Sequence, residues 1–451
     1  MSQGSLAGAD GAGLTAGPVR VTSVAPGVLV ATEVLPWARA VALSATVVAG
    51  SIDEPAPIAG AAHLIEHLLF RGSSRYGAGE VDHLFDDLGA DLTASTDRCQ
   101  TQLATWVMAE HVRAAVDAMS DVMWRPSLTD DDVAHEREIV LEELAMIEDS
   151  PEELTFELLG DALYPDSPLG RPVIGRRETI DALDAEALGA FHRDRYSVAP
   201  VVWVGVGAVD HDALCEQISA DLPDWRSPQA SAPVDQRRGA VGGPPTRIIA
   251  ARQTEQLHVA LAVPLDGARG PRRAALQVLD ALIGGPPSSR LFQEIRERRG
   301  LAYSVGSFLE LQQGFGAFGA YLGTRPERAE TAVGVLAGEL RRVAGGELAE
   351  RELAWARRHV AGRMGLSLET AGGRAAQIAG RLAAGQPIVD PSTLAAEVAA
   401  IDVATLTQLA REVLGQLDRS AVACVAPDIG VAADALDAAG LATGASAVAA
   451  R

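Results

Sequence analysis

The stretch Ala61-Ala-His-Leu-Ile-Glu-His-Leu-Leu-Phe70 packs two imidazoles and a carboxylate into the five residues His63 to His67. Read as a helix, it turns about 100° per residue, which puts His67 roughly 40° from His63, Glu66 near 300° and Phe70 near 340°. Leu64, Ile65, Leu68 and Leu69 take the remaining arc, so the segment has one chemical face and one packing face. Residues i and i+4 of a helix lie one above the other, and both imidazoles therefore reach the same point. Imidazole nitrogen binds zinc readily, and a catalytic zinc site takes three protein ligands and leaves a fourth position for water. The competing reading is two histidines that share a helical face by chance, a rare coincidence with nine histidines in 451 residues.

A third ligand is available downstream. Ala134-His-Glu-Arg-Glu-Ile-Val-Leu-Glu-Glu-Leu-Ala-Met-Ile-Glu148 reads as a helix with an apolar stripe of Ile139, Val140, Leu144 and Ile147. With Glu136 as origin, the stripe spans roughly 300° to 80°, Glu143 falls at about 340°, and Glu142 at about 240°. A carboxylate on a buried stripe is costly unless it is paired or binds a metal. Glu143 is therefore the candidate ligand, and Glu136, on the same stripe, is the candidate partner that orients a ligand from behind. Glu138, Glu142 and Glu148 are assigned to a solvated acidic face.

With that third position in place, H-x-x-E-H followed by Glu143 resembles the pitrilysin/insulinase family of zinc metallopeptidases, the inverzincins. The flanks agree: Gly50-Ser-Ile-Asp-Glu-Pro55 and Phe70-Arg-Gly72 around the motif, and Glu142-Glu-Leu-Ala-Met-Ile-Glu-Asp-Ser-Pro151 around the third ligand. The length is similar to that of the mitochondrial processing peptidases and their short bacterial relatives, and the resemblance runs from about Val19 to about Pro427. It implies one zinc ion per chain held by His63, His67 and Glu143, with Glu66 as the general base that activates water against a peptide bond.

The resemblance also gives meaning to Gly284-Gly-Pro-Pro-Ser-Ser-Arg-Leu-Phe-Gln-Glu-Ile-Arg-Glu-Arg-Arg-Gly-Leu-Ala-Tyr303. Read bare, Arg296 and Tyr303 are a surface arginine and a half-buried strand tyrosine. In the family, an Arg and a Tyr at this spacing reach across to the zinc site. Arg296 is then expected to hold a substrate carbonyl, and Tyr303 to position substrate and stabilise the oxyanion; both are strong donors for developing negative charge. The chain departs from the family in Gly89-Ala-Asp-Leu-Thr-Ala-Ser-Thr96, where Thr93, followed by Ala94, stands in the place of an Asn that contacts the substrate main chain. That contact is expected to be weakened, while edge-strand pairing of a peptide with Leu92 to Ser95 stays open.

The fold implied is α+β: two similar domains, each an antiparallel-rich sheet packed with helices, joined by a linker and facing each other as a clamp. The expected boundaries are a disordered tail over 1–17, a zinc-binding domain over 18–227, a linker over 228–246, a second domain over 247–429, and an Ala/Gly-rich tail over 430–451. In the first domain, Val19 to Ala31 and Ala40 to Gly50 alternate like paired strands, Asp91 to Met108 reads as a strand pair, and Val201 to Val209 as a further strand. Helices are expected over Gly79 to Leu88, Glu110 to Trp124, Thr129 to Glu148, Glu152 to Ala162, and Asp184 to Tyr196. The linker, Ser227 to Thr246, is rich in Pro, Gly and Ser. Beyond it the grammar repeats with an offset of about 215 residues. Leu257 to Pro264 is a strand, Arg272 to Leu282 a helix, Gly314 to Gly323 takes the part of Gln102 to Met108, and Pro326 to Val343 that of Glu110 to Trp124. The second copy lacks H-x-x-E-H, and His258 is read as a strand residue with a local partner.

Composition narrows the class. Hydrophobic residues make up 48% and aromatics 4%, an aliphatic, helix-friendly chain too long for one ordinary core. A net charge of -22 argues against nucleic acid or an anionic membrane as partner and favours basic peptides or plain solubility. Three scattered cysteines, Cys99, Cys215 and Cys424, indicate neither a disulfide framework nor a thiolate zinc site. No basic, apolar leader opens the chain, so the cytoplasm is the expected compartment. Relatives of this length dimerise around a chamber that admits extended peptides. Because the chain carries both half-sites, a homodimer is the simplest form and a heterodimer with a homologue the alternative. The alternative function is an inert subunit or scaffold, like the family's respiratory-complex core proteins; metal content separates the two.

Overall fold

A computed structural model of the chain describes residues 17–223, 246–267, 270–312, 314–441 and 446–449. The tail expected over 1–17, apart from Gly17, and the linker expected over 228–246, apart from Thr246, lie outside them.

The first half begins with β1 (Arg20–Ala25) and β2 (Val28–Val34), a hairpin closed by Pro26-Gly27. Gly27 takes a φ of 80°, the left-handed conformation that such a turn demands after proline. Strand β3 (Ala40–Val47) leads to α1 (Ala61–Leu68) and α2 (Glu80–Asp87), then the hairpin β4 (Leu92–Thr96) and β5 (Thr101–Met108) follows. Helices α3 (Val112–Trp124), α4 (Asp130–Asp149), α5 (Pro151–Leu163), α6 (Arg177–Ala182) and α7 (Ala185–Arg195) precede β6 (Val201–Gly207) and α8 (His211–Asp221).

The second half repeats this order. It runs β7 (Arg247–Ala251), β8 (Leu257–Leu265), α9 (Gly270–Ile283), a π-helical segment (Phe292–Arg298), β9 (Ala302–Leu311) and β10 (Gly316–Thr324). Helices α10 (Ala329–Ala344), α11 (Glu350–Leu368), α12 (Ala371–Ala383), α13 (Pro391–Ala399) and α14 (Val403–Leu414) come next, then β11 (Ala421–Ala426), α15 (Ile429–Ala438) and β12 (Ser446–Ala449).

Each half builds a six-stranded mixed sheet, in the orders β1-β2-β6-β3-β5-β4 and β12-β7-β11-β8-β10-β9. Five positions correspond one to one: a parallel pair (β2 with β6, β7 with β11), then three antiparallel steps to an edge hairpin. The sixth differs, because β1 is antiparallel to β2 whereas β12 is parallel to β7. The stretch expected as an Ala/Gly-rich tail from 430 is corrected here. Asp428 caps α15, which buries Ala432, Ala435 and Leu436, and β12 closes the sheet edge. Alanines at helical spacing look like low complexity, yet they pack a helix closely against its neighbours.

One face of each sheet is covered by its own helices and the other by a helix lent from the opposite half. Helix α5 lays Leu154, Leu158, Leu159 and Ala162 on a second-sheet face paved with Ala260, Ala262, Ala421 and Ala423. In return α12, rich in Ala and Gly, lays Ala375, Ile378 and Ala379 on Val202, Val204 and Val206 of the first sheet. Large side chains meet small ones in both places, as close packing requires. Arg374 of α12 also reaches the buried Glu33 of β2 at 2.7 Å, and Tyr164 Oη donates to Gly316 O across the same junction at 2.7 Å.

Candidate metal centre

Helix α1 buries Ala61, Ala62, Leu64, Ile65 and Leu68, leaving His63, Glu66 and His67 half-buried on its other face. Two devices start the helix at this phase. Gly60 takes a φ of 97°, and a Cβ there would lie 2.5 Å from Ile180 Cδ1 and 2.7 Å from Ile174 O. Glu54, only 4% exposed, accepts the N–H of Gly60 at 2.9 Å on one carboxylate oxygen and that of Ala62 at 2.7 Å on the other. These are two of the donors that a helix N-terminus leaves unsatisfied. Burial pushes the Glu54 carboxyl up to about 8, against the pull of the two N–H groups and of Arg171.

Across from α1, helix α4 brings up two carboxylates. Glu136 is 4% exposed; its Oε2 accepts from His67 Nδ1 at 3.0 Å and its Oε1 takes the Arg71 guanidinium. A carboxylate can only accept, so the proton sits on His67 Nδ1 and the Nε2 lone pair is free. One helical turn pair further on, Glu143 Oε2 lies 3.6 Å from His67 Nε2 and 3.8 Å from His63 Nε2. All three ligand atoms lie within 4.8 Å of one another. Two ligands about 2.1 Å from a tetrahedral zinc are about 3.4 Å apart, so this donor set fits zinc. Burial, helped by the neighbouring His67, pushes His63 down to about 4, which keeps it neutral as a ligand must be. Its Nδ1 is buried with no hydrogen-bond partner among the described residues. Glu142, by contrast, is exposed to solvent.

Glu66 points from the same face but takes its hydrogen bonds from the edge strand. Thr96 of β4 offers both its hydroxyl and its backbone N–H. Burial raises the Glu66 carboxyl above the usual range, Thr96 and His67 oppose that, and Glu143 adds to it. Thr96, Arg71 and Glu54 escaped the sequence reading. All three act through tertiary contacts, and only the inward parity of Thr96 relative to Thr93 gave a local signal.

A cleft of about 410 Å³ opens beside His63, Thr96 and Glu143. Met146, Ile147, Val173 and Ile174 give it apolar walls, and Glu153 and Glu157 of α5 give it charge. Burial raises the Glu157 carboxyl, with Arg98 and Arg176 opposing. Thr93 stands on the outer face of β4, its hydroxyl turned back to Ala104 O at 3.1 Å, while Ala94 faces inward against the core. Along β4 the edge opposite β5 carries no strand among the described residues.

Arg296 and Tyr303 are together but are not at this cleft. The Arg296 guanidinium lies 4.3 Å from the Tyr303 ring centroid and 4.7 Å from that of Phe292, and it donates to Tyr303 O at 3.1 Å. Tyr303 is 75% exposed. The two line a separate cleft of about 330 Å³ with Glu152 and Phe156, so α5 turns one face to each cleft. His258 has its local partner, Tyr321 Oη at 2.8 Å.

Known proteins are similar to this chain in sequence and in fold. Residues 29–177 match the family model described as insulinase (peptidase family M16), and residues 182–360 match the M16 inactive domain. The division falls within α6, although β6 beyond it still completes the first sheet. An uncharacterized zinc protease of Mycobacterium tuberculosis is 37% identical over 80% of this chain and 82% of its own length. One from Streptomyces coelicolor is 33% identical over 89% of this chain and 88% of its own. In the fold, a crystallised protease from Helicobacter pylori superposes with a TM-score of 0.82 at 20% identity, covering 92% of this chain and all of the other. Among the described residues no single helix is long and apolar enough to cross a membrane.

Proposed function

The chain belongs to the insulinase family of zinc proteases, peptidase family M16, and from that footing we propose that it is an endopeptidase for extended peptides, with one zinc per chain and Glu66 as general base. The observation that carries the reading is the convergence of His63 Nε2, His67 Nε2 and Glu143 Oε2, with a raised carboxyl, Glu66, on the same helix face. Zinc bound there would supply Lewis acidity to a water and to the scissile carbonyl. Glu66 takes a proton from the water and hands it to the leaving amine, and its raised affinity for the proton suits both transfers. Thr96 holds that carboxylate in place while Glu136 holds His67.

The exposed edge of β4 suits a peptide main chain lying alongside as an added strand. Glu153 and Glu157 in the cleft wall favour a lysine or arginine side chain near the bond that is cut. Arg296 and Tyr303 line a different cleft of their own chain, which favours a second copy as the one that brings them to the zinc site. A homodimer satisfies this, and a homologous partner subunit is the alternative.

The test has two parts. Purified protein should hold about one zinc per chain and cleave an unstructured basic peptide in a chelator-sensitive way; metal-free protein without such cleavage returns the chain to the inert-scaffold reading. Mixing Glu66→Gln chains with Tyr303→Phe chains should then restore activity that neither has alone. A mixture as inactive as its components rules out the shared site.

A further inference from the structure

A third cavity, of about 380 Å³, lies where the two halves meet. The turn between β4 and β5 forms one wall, and α9, α11, α12 and α13, with the end of β9, form most of the rest. It shares no lining residue with the zinc cleft or with the cleft of Tyr303. Arg273 of α9 and Arg381 of α12 both face it.

Several half-buried arginines of the chain are matched by a carboxylate, and these two are not. Arg176 is matched by Asp161, Arg290 by Glu352 and Arg374 by Glu33. Arg273 and Arg381 form no ion pair among the described residues, in a chain with 60 acidic and 38 basic side chains. Each spends one donor on a backbone carbonyl, Arg273 on Leu311 O at 3.4 Å and Arg381 on Pro387 O at 3.1 Å. A guanidinium carries five donors, so most of theirs remain for the cavity. Burial and the repulsion of Arg381 hold the Arg273 guanidinium below its ordinary value. Two carboxylates share the wall without answering this charge. Asp97 Oδ1 is taken by the N–H groups of Cys99 at 2.6 Å and Gln100 at 2.9 Å, and Glu397 pairs with neither arginine. Gln277, Gln312, Gln377 and Gln386 surround the pair with amides that hydrogen-bond in either direction.

We propose that this cavity is a binding site for a small molecule bearing a carboxylate or phosphate group, whose oxygens bridge Arg273 and Arg381. Its volume is that of a small-ligand pocket, and two forked guanidiniums suit an oxyanion. The site spans the junction, so an occupant ties α12, the helix lent to the first sheet, to the β4–β5 turn.

The test is thermal unfolding of the full, zinc-loaded chain against inorganic phosphate and against citrate, each compared with sodium chloride at equal ionic strength. A saturable rise of roughly 2–5 °C is expected with at least one of them. The rise should vanish in Arg381→Ala and in Arg273→Gln, and persist in Arg272→Ala, whose side chain pairs with Glu412 on the surface. A response to phosphate alone assigns a phosphoryl ligand, and a response to citrate alone a carboxylate. No saturable shift with either anion, or an undiminished shift in Arg381→Ala, overturns the proposal. The arginine variants keep every zinc ligand, so a shift that disappears with Arg381→Ala is not an effect of the anions on zinc, and the outcome stands apart from the peptidase reading.

Discussion

Helices α1 and α9 occupy matching places in the two halves. Each follows a central strand, β3 or β8, and leads toward an edge strand, β4 or β9. Matched strand positions lie 215 residues apart from β5 to β10 (Thr101 to Gly316) and 218 from β3 to β8 (Val47 to Leu265), and the first interval carries His63, Glu66 and His67 onto Val278, Ala281 and Leu282. Those three side chains are buried, at 0%, 5% and 2% exposure. The helix that packs on α9 is α11, which contributes Leu353, Ala356 and Val360 to the core; the helix that packs on α1 is α4, with Glu136 and Glu143. One frame thus serves two purposes. Closing the contact with apolar side chains makes a core, and opening it with polar ones makes a metal cleft whose cost in buried polarity is offset by hydrogen bonds and, on our reading, by zinc.

The comparison can be broken most sharply by His67→Leu, which gives α1 the residue of α9. Zinc content by elemental analysis should fall to background and peptide cleavage with it; retained metal would remove His67 from the ligand set. Glu66→Gln should lower kcat by about 10²–10⁴-fold, the span of general acid–base catalysis, with zinc still bound. The reverse exchange, Leu282→His in α9, should recruit no metal and cost about 1–3 kcal/mol in denaturant unfolding, because a buried imidazole there gains no partner. Glu54→Gln should cost about 1–2 kcal/mol, the scale of a lost helix cap, and weaken zinc retention in a chelator competition, since one capping oxygen becomes a donor facing N–H. Thr96→Val should have the smallest effect, a several-fold fall in kcat of about 1 kcal/mol in barrier with KM unchanged. A fall in zinc affinity instead would place Thr96 with the ligands rather than with Glu66.

Much of this frame is legible in the chain because it is periodic. Helical phase separates Glu143 from Glu142, and the structure puts the former opposite both imidazoles and the latter in solvent. The strand and helix order of the first half, and its echo in the second, follow from alternation, although Val19 to Ala31, read as one strand, is a hairpin turned at Pro26-Gly27. What periodicity does not carry is the identity of a partner. The leucine stripe of α5 announces burial but not that it covers the other half's sheet. Glu54 reads as a loop acid and Arg71 as a surface base until α1 and α4 meet. The separation of Arg296 and Tyr303 from the zinc cleft is likewise a fact of three dimensions.

A single residue, Ser150, stands between α4 and α5, ending one helix and capping the next. Glu143 rides on the first of these helices, and the second is bonded by its leucines to the opposite sheet. The joint therefore carries a candidate metal ligand on one arm and the contact with the opposite sheet on the other. A displacement of one half against the other would reach Glu143 through this one residue, and zinc retention would then report how the halves are seated.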